Sequence, residues 1–73
     1  MKVDYKKIGN QIRVNRRRNN WTQAQLAEMV DVGTRHINCI ENGAKKMSLA
    51  LLIKIAYTFN VSLDVLIDGS VIF

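Results

Sequence analysis

The sequence predicts an all-α domain of five short helices packed as one compact unit. Three observations carry this: the chain has no proline, apolar residues recur three and four apart in five separate stretches, and helix-stopping residues lie between those stretches. Seventy-three residues with 48% hydrophobic and 23% charged side chains make one domain of globular composition, outside the range of disordered chains. A domain this small buries only about 60% of its unfolded surface. Its elements must therefore pack closely or lean on a partner.

The first helix runs from about Asp4 to Arg18. Tyr5, Ile8 and Ile12 give it one apolar face, Asp4 stands at its positive end and three arginines at its negative end. Asn19-Asn20 stops it, since asparagine tolerates the left-handed backbone that closes helices. Thr22 offers a capping hydroxyl to a second helix through Leu26, Ala27 and Val30. Only Asp31, Val32 and Gly33 separate it from a third, Thr34 to Asn42, which carries Ile37 and Ile40 and stops at Gly43. Two short helices joined so tightly predict a helix-turn-helix. Ser48 caps a fourth helix, whose expected inward stripe is Leu49, Leu52, Ile53, Ala56 and Phe59, with Asn60 as its terminator. Ser62 caps a short fifth, with Leu63, Leu66 and Ile67 inward and Gly69 at its end. Residues 1–69 form the expected domain, and 70–73 a short apolar tail that needs covering.

Charge is distributed unevenly. Eleven basic and six acidic residues give +5. Residues 1–20 hold seven basic side chains and one acid, and so carry +6 by themselves. That favours a polyanionic partner. A membrane surface would call for exposed bulky apolar residues along the basic helix, where Ile8 and Ile12 are committed to a core. No apolar run approaches the roughly 18 residues of a bilayer span, and no signal peptide is visible. One cysteine, Cys39, and one histidine, His36, supply neither a disulfide nor a metal site. No cofactor is expected, and a reducing cytoplasm is the expected setting. Nor is there a phosphate-binding glycine loop or a nucleophile–base–orienter set, so catalysis is not expected.

The ordered set Ile8-Gly9, Ile12-Arg13, Arg16, Thr22-Gln23, Leu26-Ala27, Val32, Ile37, Ile40-Glu41-Asn42-Gly43, Ser48-Leu49, Leu52, Ile55-Ala56, Val61-Ser62-Leu63 and Leu66 resembles the helix-turn-helix regulators of the phage-repressor, Cro and xenobiotic-response-element type. The resemblance spans residues 8 to 67 and implies a lambda-repressor-like DNA-binding domain, with helices two and three as the motif. Ala27 suits the steep crossing of those two helices, since a small side chain lets them approach. Asp31 stands where the family favours glycine, and aspartate is among the residues that best tolerate positive φ. Met47 stands where the family favours proline.

The recognition helix is expected to turn Thr34, Arg35, Asn38 and Cys39 toward the bases. The fork of Arg35 matches guanine O6 and N7, or a phosphate from the same place. Thr34 suits a thymine methyl or a phosphate, and Asn38 suits adenine if it reaches the base edge. Cys39 reads equally as a small apolar filler. The resemblance implies phosphate contacts from Thr22 and Gln23 at the start of helix two and from Asn42 with Gly43. Arg16, His36, Lys45 and Lys46 extend that set. It further implies an ion pair between Arg16 and Glu41 that ties helix one to the recognition helix. Trp21 is expected as a plug between helices one and two.

The expected function is sequence-specific binding of double-stranded DNA by a homodimeric regulator, a repressor on a pseudo-palindromic operator, without a small-molecule ligand domain. Leu66, Ile67, Val71, Ile72 and Phe73 are the expected dimer contacts. For the tail, two placements stay open: pairing across a two-fold axis, or folding back onto its own core. The alternative function is a protein-interaction module, such as an antitoxin or anti-repressor built on the same fold.

Overall fold

A computed structural model of the chain describes residues 2–44 and 46–72, the last of these in its backbone only. Its elements are β1 (Lys2–Val3), α1 (Tyr5–Arg18), α2 (Gln23–Met29), α3 (Thr34–Glu41), α4 (Leu49–Phe59), α5 (Leu63–Ile67) and β2 (Val71–Ile72). The five helices fall where the periodicity predicts them. The two short strands do not appear in the sequence reading. They pair antiparallel, Lys2 with Ile72 and Val3 with Val71. The tail backbone at Val71 and Ile72 thus pairs with the chain's own first strand. The backbone N–H of Asp4 donates to the Ser70 carbonyl at 2.6 Å, which fastens the start of α1 to the turn before β2.

Local chemistry sets the helix ends. Asp4 accepts from the Lys6 and Lys7 N–H groups at the start of α1. Thr22 and Gln25 form a reciprocal box on α2: Thr22 Oγ1 accepts from the Gln25 N–H at 3.1 Å, and Gln25 Oε1 accepts from the Thr22 N–H at 2.8 Å. Ser48 Oγ accepts from the Leu51 N–H. Ser62 occupies the cap position of α5, but its side chain makes no capping bond, which corrects the expectation for it.

Four helices finish with one arrangement, in which a left-handed residue turns its own N–H and that of the next residue back onto free carbonyls. At α2 the left-handed residue is Asp31, φ 59°; Val32 N–H donates to the Ala27 carbonyl at 3.0 Å and Asp31 N–H to that of Glu28 at 3.3 Å. Asn20, Gly43 and Asn60 do the same after α1, α3 and α4. Asp31 thus adopts the conformation that the family's glycine would have favoured.

The core is Ile8, Ile12, Leu26, Ala27, Val30, Ile37, Ile40, Leu52, Ile55, Ala56, Phe59 and Leu66. Each large aliphatic side chain in it is worth about 1.5–3 kcal/mol relative to exposure. The inward face of α4 is rotated from the one expected. Leu49 is 63% exposed and Ile53 42%, while Ile55 is fully buried. The buried set 52, 55, 56 and 59 and a stripe begun at Leu49 (49, 52, 53 and 56) have the same helical spacing, and a helix apolar on nearly every side does not declare its face. Trp21 packs against the core with its ring stacked on Phe59, ring centroids 5.8 Å apart, and so ties the α1–α2 linker to α4. Among the described residues no helix is long and apolar enough to cross a membrane.

Candidate nucleic-acid interface

Ile37 and Ile40 anchor α3 with no accessible surface, and its opposite side follows from that anchoring. Thr34, Arg35 and Asn38 are exposed and Cys39 is half-buried. The helix is held from two sides. Ala27, 2% exposed, lies on α2 behind it. Gly9 lies on α1, where a Cβ would stand 2.7 Å from the Glu41 carbonyl oxygen and closer still to that of Ile40. Glycine at that position allows the backbones of α1 and α3 to touch. Gly43 is constrained in the same way, since a Cβ there would meet Lys6 Cα at 2.7 Å, and its φ is +71°.

Beneath the exposed face lies a polar cluster centred on Glu41. Its side chain is fully buried and receives Arg16 Nε on Oε2 at 2.7 Å and Arg16 Nη2 on Oε1 at 3.0 Å. Gln23 Nε2 donates to Oε1 at 3.1 Å, and Arg13 Nε lies 3.4 Å from the same oxygen. Burial pushes the Glu41 carboxyl up; the hydrogen bonds from Arg16 and Gln23, the charge of Arg16 and the bond from Arg13 outweigh it and hold the group below the usual carboxylate range. Arg16 also donates through Nη1 to the Trp21 carbonyl at 2.8 Å. The expected ion pair therefore forms, as a two-toothed clasp between α1 and the end of α3.

Several expected site residues stand elsewhere than anticipated. Arg16 has its guanidinium committed inward, to Glu41 and the Trp21 carbonyl, and only 10% of its side chain exposed. One amide proton of Gln23 is committed to Glu41, and Gln25 is the residue that completes the Thr22 cap. His36 is half-buried on the far side of α3, in a groove shared with Val32, Lys46 and Met47, which takes His36 and Lys46 away from the Thr34–Arg35–Asn38 face. Asn42 is exposed; its Oδ1 accepts from Arg13 Nη2 at 2.7 Å and its Nδ2 donates to Asn38 Oδ1 at 3.1 Å. In the sequence Arg13 stands out only as part of the family pattern, and its contacts with Glu41 and Asn42 come from the fold. An arginine three residues before the ion-pairing one, on the same side of α1, was the available signal. Leu66 is a core residue with no accessible surface and leaves the dimer set. Ile67 is half-buried and Val71 exposed. Lys45, the Ile72 side chain and Phe73 lie outside the described residues.

A sequence profile of the helix-turn-helix family matches residues 12–66, three-quarters of the chain. The chain belongs to the helix-turn-helix family. Within the family it is similar to a competence pilus inhibition repressor of Acinetobacter baylyi, 39% identical over 57 residues, which cover 78% of this chain and 52% of that protein. The chain thus spans about half the length of this curated relative. Among solved structures it resembles the clp gene regulator ClgR of Corynebacterium glutamicum, with TM-score 0.81 and 30% identity over 86% of this chain and 68% of that one. It also resembles the P22 c2 repressor, solved with a synthetic operator, with TM-score 0.79 and 27% identity over 85% of this chain and 94% of that one. The phage-repressor type of helix-turn-helix read from the sequence is the type these comparisons find, and the five-helix fold goes with it.

Proposed function

We propose that this chain is a sequence-specific binder of double-stranded DNA that acts in the cytoplasm as a homodimeric transcriptional repressor on a pseudo-palindromic operator. The observation that carries the reading is the exposed face of α3. Three polar side chains that can address base edges, Thr34, Arg35 and Asn38, stand on a helix held rigid by buried isoleucines and the Glu41 clasp. A protein-docking face would be apolar there. The basic α1 adds long-range attraction: Arg17 and Arg18 are exposed. The similar P22 c2 repressor was solved with a synthetic operator, which supports reading this chain as a DNA binder.

In this mechanism α3 enters the major groove and Arg35 reads guanine through its fork. The Asn42–Gly43 turn and the start of α2 meet the backbone phosphates, which set register without carrying sequence information. Two copies place their recognition helices about 34 Å apart on one face of the duplex. The dimer contact assigned here is the tail side of the molecule, where exposed Val71 and Val3 adjoin Leu49. The domain acts without a cofactor.

Fluorescence anisotropy tests the reading, with the duplex upstream of the chain's own coding region and a scrambled duplex, each titrated across several salt concentrations. The expected result is preference for the native duplex and a log–log salt slope of several units, each phosphate contact adding about 0.9. Weak, equal binding to both that salt erases would favour a protein partner or an operator elsewhere. Arg35→Ala is expected to cost about 1–3 kcal/mol on the preferred duplex and to relax one base-pair position. Equal losses on every sequence would reassign Arg35 to a phosphate.

A further inference from the structure

We propose that Arg13, on α1, decides which hydrogen-bonding edge the recognition helix offers at Asn38; the proposal rests on reading the exposed face of α3 as the DNA-reading surface. A carboxamide carries an oxygen and a nitrogen of nearly equal shape, so an isolated asparagine can turn either one outward. Arg13 removes that freedom. A guanidinium has donors only, so the Asn42 atom 2.7 Å from Arg13 Nη2 must be the carbonyl Oδ1. The –NH2 of Asn42 then faces Asn38, and the Asn38 atom 3.1 Å away that receives it must be Oδ1. Asn38 is therefore held with its oxygen toward Asn42 and its –NH2 turned away. Arg13 is itself held, because its Nε lies 3.4 Å from the buried Glu41 carboxylate. A fixed positive charge on α1 thus sets the polarity of a line of three side chains that ends on the exposed face of α3.

The consequence is a choice among bases. An asparagine presenting only donors meets two acceptors on guanine, O6 and N7, and the thymine O4, whereas adenine offers it N7 alone beside a competing amino donor. It mismatches the cytosine amino group, and the fork to adenine, which needs the carboxamide oxygen as well, is disfavoured. This departs from the adenine pairing that an asparagine at this position otherwise suggests. Arg13 touches no base in this scheme; it is a positioning residue that acts through Asn42.

Two measurements on the full chain test it, with wild type, Arg13→Met and Arg13→Lys compared and the thermal midpoint of each recorded to separate folding losses. The first follows the side-chain carboxamide signals of Asn38 and Asn42 by NMR in the free protein. Arg13→Met is expected to shift both, and Arg13→Lys, which keeps a donor-only group, to restore them. The second is selection from a pool of randomised duplexes. Wild type is expected to favour guanine or thymine by about tenfold at one position of each half-site, the scale of one good base contact. Arg13→Met should flatten that position while the others keep their preference, and Arg13→Lys should recover it. Unmoved carboxamide signals, a preference for adenine or cytosine at that position, or a uniform loss of enrichment at all positions would overturn the proposal. Carboxamide signals that respond while wild type enriches no duplex would support the Arg13–Asn42–Asn38 orientation and overturn the DNA reading beneath it.

Discussion

Glu41 carries most of the polar interior on one carboxylate, since Arg13, Arg16 and Gln23 all donate to it. Glu41→Gln leaves Arg16 nearly buried without its counter-charge. The expected loss is about 3–5 kcal/mol, read by urea unfolding at neutral pH. The same group sets an acid limit. Its folded carboxyl titrates below the unfolded value of about 4.3, so its contribution is fully present above that pH and is lost as pH falls through the folded value. Wild type should therefore lose stability steeply below about pH 4, and Glu41→Gln should show a shallower loss across that range. The pairing of Arg16 with Glu41 was legible in the family pattern. The roles of Arg13 and Gln23 were not, because spacing along the chain does not tell which of several donors a buried carboxylate will gather. Asp31 was legible for a backbone reason: three residues between two helices require a left-handed turn, and few side chains accept one.

At the scale of elements, the orientation of α3 is set by close backbone contact. Gly9→Ala drives a methyl into the Ile40 and Glu41 carbonyls, which are main-chain atoms of a packed helix and cannot swing aside. The expected cost is at least 1–3 kcal/mol, with a drop in thermal midpoint of about 4–8 °C for each kcal/mol. It should also lower DNA affinity by displacing α3 from α1. A thermal midpoint within a degree of wild type would contradict the tight α1–α3 contact. The helices themselves could be read from the sequence because caps, stops and apolar spacing agree for each. The face of α4 could not be, since Leu49, Leu51, Leu52, Ile53 and Ile55 offer more than one apolar stripe. The β1–β2 pair was equally hidden. Two-residue strands have no period to detect, and their pairing joins opposite ends of the chain.

At the scale of the whole molecule, two surfaces stand out, one basic and one apolar. The first twenty residues carry +6, whereas Val3, Leu49 and Val71 remain exposed beside the terminal strands. If that second surface is the dimer contact, sedimentation should find wild type dimeric at micromolar concentration and Val71→Glu monomeric and folded. A Val71→Glu protein that stays dimeric would move the contact elsewhere. The central claim is that the exposed face of α3 reads DNA, and the most direct test is an NMR titration of the labelled protein with a duplex at low salt. The signals of Gln23, Thr34, Arg35, Asn38 and Asn42 are expected to shift first and most. Shifts centred on Val3, Leu49 and Val71, with α3 unmoved, would contradict that claim.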